Sequence, residues 1–453
     1  MIEKKPLVTI VMPCLNEEAY VGKALRSLLD DWAIRNCEVL VVDGGSTDRT
    51  KQVVEGLIRN PPETASPSQN PPYPPVVKGR SSNASGAGVG ASSAEASDAA
   101  AGVGASGGGV GASAQSRPED EVVYFFQGKD RWVREVPGEW NPVTAGKRRA
   151  VIRLLDNRDR TASCGMNLGI AQAAGKIIVR ADAHCLFPPG YVRRCVELLA
   201  DTGAANAGGV MVPRGEGGET QAAIVLAMRH PLGTGGAVYR KTEFKGEAEG
   251  VIFGTFRKAL FDEIGGYDIK ARANEDSELN VRILCAGKKI YLDSDIKITY
   301  FPRKTLGELA SQYFRYGRGR TRTTIRHGML TGWRQVAAPM LLLVTVYAVA
   351  RAIMGQPAHL LVPAAYALGL VAAAVLTLDR GEGARTRMRK MERAKARTSA
   401  PSGASARTGE GVYASDGDEG PIPFATRLTV AAAWGVMHMC WGAGFLFGLV
   451  KWW

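Results

Sequence analysis

IIVRADAHC, residues 177–185, is the stretch on which the fold turns. Ile177, Ile178 and Val179 make a short apolar run of the kind found in a strand buried on both faces. The run ends in Asp182-Ala183-His184. An Asp and a His two residues apart at a strand end aim two ligand groups at one point. Working backward, Cys164–Ala174 patterns as a helix and VIRLLD (151–156) as a strand. CEVLVVD (37–43) and LVTIVM (7–12) are strands too, with helices expected over Ala19–Leu29 and Thr47–Ile58. Alternation of this kind over residues 6–60 and 121–300 predicts an α/β fold, a Rossmann-like, mostly parallel sheet with helices on both faces. Ligands of such a sheet collect at the carboxyl ends of its strands.

Further polar groups fall at those strand ends. In PCLNEE (13–18), Asn16 is expected to cap the next helix, with Glu17 and Glu18 in its first turn. That role leaves them available to a ligand at the same rim. In VVDGGSTD (41–48), Asp43 closes a buried strand, Gly44 and Gly45 permit a tight turn, and Ser46 or Thr47 caps the helix after it. In NEDSELNVR (274–282), Glu275 and Asp276 precede a helix expected over Ser277–Ala286, where acids also suit the helix dipole.

The chain of 453 residues carries a formal charge of +13, an excess that fits nucleic acid, anionic lipid or membrane-topology signals. Apolar runs at Val336–Met354, His359–Leu378 and Thr429–Val450 favour the last. Each has about the 20 residues that a helix needs to cross the hydrocarbon core. Arg315, Arg318, Arg320, Arg322, Arg326 and Arg334 precede the first run. Arg385, Arg387, Arg389, Lys390, Arg393, Lys395 and Arg397 separate the second from the third, whereas GQPA (355–358) between the first two is uncharged. A buried hairpin of a soluble domain leaves this placement without a cause. Basic loops stay cytoplasmic, so the expected path is in, out, in, and out again at Lys451-Trp452-Trp453, in a plasma membrane, with no need of nucleic acid.

Residues 61–120 are Pro-rich and then Gly/Ala/Ser-rich with GVGAS recurring, a composition that buries too little apolar surface to offset its ordering entropy. They read as a surface insertion. Residues 379–427 read as a basic, then polar, cytoplasmic linker; within it RTRMRKMERAKAR is either a helix on anionic lipid or a solvated loop. The expected domains are therefore 1–325, a pair of spans over 336–378, the linker, and a third span over 428–453. MIEKKP leads straight into a strand, so no signal peptide is expected. The seven cysteines show no CxxC spacing, which suggests neither disulfides nor zinc and fits a reducing compartment.

Taken in order, PCLNEE, VDGGSTD (42–48), NLGIAQAAGKIIVRADAH (167–184), GGYD (265–268) and NEDSELNVR resemble the inverting nucleotide-sugar glycosyltransferases of family two, which have the GT-A fold. QYFRYGRGR (312–320) looks like the Gln-x-x-Arg-Trp element of membrane members, with Tyr316 in place of Trp. The Asp-Ala-His triplet and the YGRGR run are similar to those of succinoglycan-type exopolysaccharide glucosyltransferases. The resemblance spans roughly residues 6–60 and 147–325.

It implies attack by an acceptor hydroxyl on the anomeric carbon of a nucleotide sugar. A short Asp-x-Asp element of the family helps hold a divalent cation against the diphosphate; here His184 takes the second place, so Asp182 and His184 are the expected metal ligands. Imidazole favours a transition metal, which puts Mn²⁺ first and Mg²⁺ second. Asp276 matches the family's general base, and Glu275 beside it would raise its pKa. Pro13, Asn16, Glu17 and Asp43 are expected to line the nucleotide pocket, with Asp43 at the uracil or ribose edge; where many relatives carry a second acid, this chain has Gly44. Gln312, Arg315 and Arg318 are expected near the diphosphate of the donor or of a lipid carrier. A collar facing lipid headgroups is the other reading of the arginines.

The expected function is transfer of a hexose, glucose from UDP-glucose, to a polyprenyl-diphosphate-linked saccharide in exopolysaccharide synthesis. A processive polysaccharide synthase and a non-catalytic membrane scaffold are the alternatives. A nucleotidyltransferase would need a Gly-rich, basic loop after the first strand, which PCLNEE does not provide.

Overall fold

The computed structural model describes residues 7–60, 123–126, 132–135, 151–235, 243–328, 330, 334–378 and 422–452. The 61–120 insertion, residues 379–421 of the linker and Trp453 lie outside these.

β1 (Val8–Cys14), α1 (Val21–Leu28), α2 (Asp31–Asn36), β2 (Cys37–Asp43) and α3 (Thr50–Arg59) open the chain. β3 (Val123–Phe126) and β4 (Trp132–Glu135) form, among the described residues, a separate two-stranded sheet. β5 (Val151–Asp156), α4 (Ala162–Gln172) and β6 (Ile177–Arg180) follow. β5, β2, β1 and β6 lie side by side and parallel. Their alternation builds two layers. Val39 and Val41 of β2 join Val21, Leu25, Val54 and Leu57 of α1 and α3, while Leu40 and Val42 join Met166 and Ile170 of α4.

The second half adds β7 (Cys185–Leu186), α5 (Tyr191–Thr202), β8 (Asn206–Pro213), α6 (Glu219–Arg229) and α7 (Pro231–Thr234). β9 (Lys245–Glu247), β10 (Thr255–Arg257), α8 (Ala259–Ile264), α9 (Glu275–Cys285) and β11 (Ile290–Tyr300) complete it. Among the described residues the sheet runs β5-β2-β1-β6-β10-β8-β11-β7, with β9 on β11. Short β10 is antiparallel to both neighbours, so the sheet is parallel at first and mixed beyond β6. The expected α/β sheet with helices on both faces is the one found.

α10 (Leu306–His327) starts at a capping box between Thr305 and Glu308. α11 (Arg334–Ile353), α12 (Pro357–Leu378) and α13 (Phe424–Trp452) are long and apolar enough to cross a membrane. They are not equivalent. The apolar windows of α11 and α12 are 11% buried, that of α13 44%. Trp434 of α13 is fully buried, and its indole N–H donates to the Ala227 carbonyl of α6 at 3.1 Å. α10 approaches α13 backbone to backbone: a Cβ on Gly317 would stand 2.0 Å from the Trp441 carbonyl oxygen, and one on Gly444 2.0 Å from that of Phe314.

Candidate active site

Because β1, β2 and β6 are parallel neighbours, the loops leaving them share one rim. Asn16 adopts φ 56°, a left-handed conformation that Asn tolerates. Its Oδ1 accepts from the Thr47 N–H at 2.8 Å, and its own N–H donates to Ser46 Oγ at 2.9 Å. The Glu17 N–H donates to Thr50 Oγ1, and Glu18 accepts from the Arg49 N–H. The two loops are thereby stapled together. This corrects the expected caps. A turn in which the Glu17 carbonyl accepts from Tyr20 and Val21 separates Asn16 from α1, which starts without a side-chain cap. At α3, Asp48 rather than Ser46 or Thr47 accepts from the first-turn Thr50 N–H at 2.9 Å.

Asp43, expected at the uracil or ribose edge, is fully buried. Its Oδ2 accepts from the Gly45 and Ser46 N–H groups at 2.9 and 3.0 Å, so it shapes the turn from beneath. The exposed acid at that corner is Asp156, its register partner on β5, ion-paired with Lys51 at 2.7 Å. Pro13 packs on α4, its Cβ 3.3 Å from where a Cβ on Gly165 would stand.

At the centre lies Arg180, a residue that motif reading passes over. Only 4% of its side chain is exposed, and its guanidinium meets three carboxylates. Nε donates to Asp182 Oδ1 at 3.1 Å, one terminal nitrogen to Asp276 Oδ1 at 2.7 Å, the other to Glu275 Oε1 at 2.9 Å. The Tyr267 hydroxyl also donates to Asp276 Oδ1, at 3.4 Å, and its ring lies under the guanidinium. Asp182 from β6 and Glu275 and Asp276 from α9 are thus one constellation. The signal that exposes Arg180 is an arginine in a strand otherwise apolar on both faces: a buried guanidinium requires partners.

Burial pushes the Asp276 carboxyl up to about 8; Arg180 opposes the rise, and Glu275 and Asp182 add to it. His184 donates from Nδ1 to Glu17 Oε1 at 3.1 Å and sets its ring edge against Tyr300. Burial works against protonating His184, but the hydrogen bond and charge of Glu17, with Asp182, outweigh it and raise the imidazole above its ordinary value. Gln312 is buried, and its amide donates to the hydroxyls of Tyr300 and Tyr316 at 3.1 and 2.9 Å, which joins it to the His184 side of the rim. The Tyr316 carbonyl accepts from Asn274 Nδ2 at 2.6 Å, so the start of α9 hangs on α10. Arg315 is exposed and Arg318 half-buried; neither enters the Arg180 constellation.

Among the described residues no three His, Cys, Asp or Glu side chains form a ready-made metal site. Asp182 and His184 nevertheless fit as half of one. The Glu17 bond fixes the proton on Nδ1 of the neutral ring and leaves the Nε2 lone pair for a metal, as a carboxylate behind a metal-binding histidine does. Phosphate oxygens would supply the rest.

Residues 9–65 and 112–263 match Glycosyl transferase family 2. The chain is 26% identical over 330 residues to succinoglycan biosynthesis protein ExoA of Rhizobium meliloti (strain 1021), covering 72% of this chain and 73% of that one. A stretch of 58 residues, 13% of this chain and 19% of the relative, is 47% identical to lipopolysaccharide core biosynthesis glycosyltransferase LpsC of the same organism. The solved mannosyltransferase PcManGT from Pyrobaculum calidifontis, in complex with GDP-Man and Mn²⁺, aligns with 96% of this chain and 86% of its own at 16% identity and a TM-score of 0.43. Residues 9–65 and 112–263 are thus similar to glycosyl transferase family 2, and this match, with the ExoA relative, identifies the chain as a nucleotide-sugar glycosyltransferase.

Proposed function

We propose that the protein transfers a hexose, glucose from UDP-glucose, to a polyprenyl-diphosphate-linked saccharide at the cytoplasmic face of the plasma membrane, with inversion, in exopolysaccharide assembly. The observation that supports this reading is the shared hold of Arg180 on Asp182 and Asp276, which brings the carboxylate we assign to the cation and the one we assign as base to one rim. The ExoA relative, named for succinoglycan biosynthesis, supports the polymer class. The catalytic domain is residues 1–325, and the α11–α12 hairpin anchors it with both ends cytoplasmic.

Asp276 is the base. Its Oδ1 is engaged by Arg180 and Tyr267, which leaves Oδ2 for the acceptor hydroxyl. A carboxylate of raised pKa takes that proton more readily, a contribution of typically ~10²–10⁴-fold. Arg180 positions it, and Glu275 shares the guanidinium. Asp182 and Nε2 of His184 would hold the cation, Mn²⁺ before Mg²⁺; when bound, it would offset the charge that develops on the departing diphosphate. Pro13, Asn16 and Glu17 border the nucleotide. Gln312, Arg315 and Arg318 face the donor or carrier diphosphate, where guanidinium groups pair well with phosphate.

A membrane-fraction assay with labelled nucleotide sugars, with and without Mn²⁺, tests the reading. UDP-glucose should be transferred, and Asp276→Asn should keep nucleotide binding while losing at least ~10²-fold in turnover. Undiminished turnover in that variant removes the base assignment. His184→Ala should shift the Mn²⁺ titration; an unchanged titration removes His184 as a ligand.

A further inference from the structure

We infer that Asn167 of α4 is a positioning residue for the base: it holds Tyr267 by the backbone, and Tyr267 in turn fixes which oxygen of Asp276 is left to the acceptor. The inference rests on the assignment of Asp276 as base. Asn167 Nδ2 donates to the Tyr267 carbonyl at 2.8 Å, and the Tyr267 N–H donates to Asn167 Oδ1 at 2.7 Å. One amide side chain thus takes both polar backbone groups of a single residue. A glycine before Tyr267 permits the approach, since a Cβ on Gly266 would stand 2.5 Å from Asn167 Oδ1.

Nothing in α4 itself asks for an asparagine at this point. Asn is a weak helix former, because its amide competes for backbone bonds. The face of α4 that packs on the sheet is built by other residues: Met166 and Ile170 are buried in the core, and Gly169 abuts Val11. Ser163, one turn before Asn167, donates to the Ala271 carbonyl at 2.7 Å. α4 therefore offers the segment before α9 two polar anchors, and Asn167 is the one that lands on Tyr267.

The place of Tyr267 explains the grip. Its side chain is buried, stacks on Phe261 and lies under the Arg180 guanidinium. Its hydroxyl donates to Asp276 Oδ1 at 3.4 Å, and Arg180 donates to the same oxygen at 2.7 Å. The terminal torsion of an Asp is soft by itself. Two donors on one oxygen hold the carboxylate against that rotation and leave Oδ2 to the acceptor. A bond of 3.4 Å is already long, so a small retreat of Tyr267 breaks it. Arg322 and Arg326 of α10 pair with the next side chain, Asp268, and leave the peptide groups of Tyr267 to Asn167.

The full chain in membrane fractions tests this. Asn167→Ala should lower kcat by ~10–10²-fold while the nucleotide-sugar KM stays within about twofold, because the base is displaced and the nucleotide contacts are not. Tyr267→Phe, which removes the hydroxyl alone, should lower kcat in the same sense. The Asn167→Ala/Tyr267→Phe double variant should fall no further than the lower single, since both changes break one link. Ser163→Ala, which removes a bond to the same segment away from Tyr267, should keep its kcat. Where Asn167→Ala does not reach the membrane, Asn167→Asp, which keeps the acceptor for the Tyr267 N–H and loses the donor, takes its place with the same expectations. Unchanged kcat in the Asn167 variant beside an inactive Asp276→Asn overturns the inference alone. Equal losses in the Asn167 and Ser163 variants, or losses that multiply in the double, do the same. Turnover kept by Asp276→Asn overturns the base and this inference together.

Discussion

Asp276 shows how much one carboxyl can be asked to do. Its pKa stands at about 8, against an ordinary 3.8. As a base it must be ionised, so kcat/KM should rise with pH and level off above about 8, with no inflection near the ordinary carboxylate value. Stability should move the other way. The folded state holds a proton that the unfolded state releases near 3.8, so the contribution of this group is full below that value and declines as pH rises through about 8. The difference in Tm between Asp276→Asn and wild type should therefore grow in favour of the variant from pH 5 to 8.5; a constant difference contradicts the raised pKa. Because Arg180 opposes the rise, Arg180→Met should carry the activity inflection higher. At this scale the sequence yields the acids better than their setting. Asp182, Glu275 and Asp276 are legible from strand and helix ends. Arg180 shows only as an arginine ending an apolar strand, because Asp182 alone of its partners is near in sequence and the other two lie 95 and 96 residues away. Asp43 closes a buried strand, and the Gly-rich turn after it folds its amides down onto the carboxylate, a bond that the sequence does not announce.

The elements follow apolar patterning closely. β2 and β5 fall on CEVLVVD and VIRLLD as expected. Helix starts do not, since short polar side chains choose between capping locally and bonding across loops, and Asn16 takes the second course. The α10–α13 contact is likewise hidden in sequence, where Gly317 and Gly444 read as helix-weakening residues. In the structure they are the points at which one backbone touches another. Gly444→Ala tests this. An exposed helical site would gain up to ~1 kcal/mol from the exchange. Here the new methyl meets a carbonyl 2.0 Å away that has no flexible end to yield, and overpacking of that kind typically costs ~1–3 kcal/mol. A lower Tm in detergent is expected, and a raised one would show that the helices part easily.

Over the whole molecule, charge and apolar length mark three helices that could cross a membrane, whereas the distinction among them does not appear until tertiary contacts are known. Composition alone ranks α11, α12 and α13 together; only burial against α6 and α10 sets the last apart. The few spans proposed offer too few walls for a polymer channel. Mass analysis of the product should accordingly find a single hexose added per acceptor, and a ladder of lengths would revive the synthase alternative. The bond from Asn274 to Tyr316 carries one more implication. It hangs the start of α9 from a rod that itself rests on α13, so the height of Asp276 is set by the same helices that carry the apolar surface. Under the proposed function that height would sort acceptors by stature: a saccharide whose terminal hydroxyl sat too low or too high would never come level with the carboxylate, whatever its chemistry.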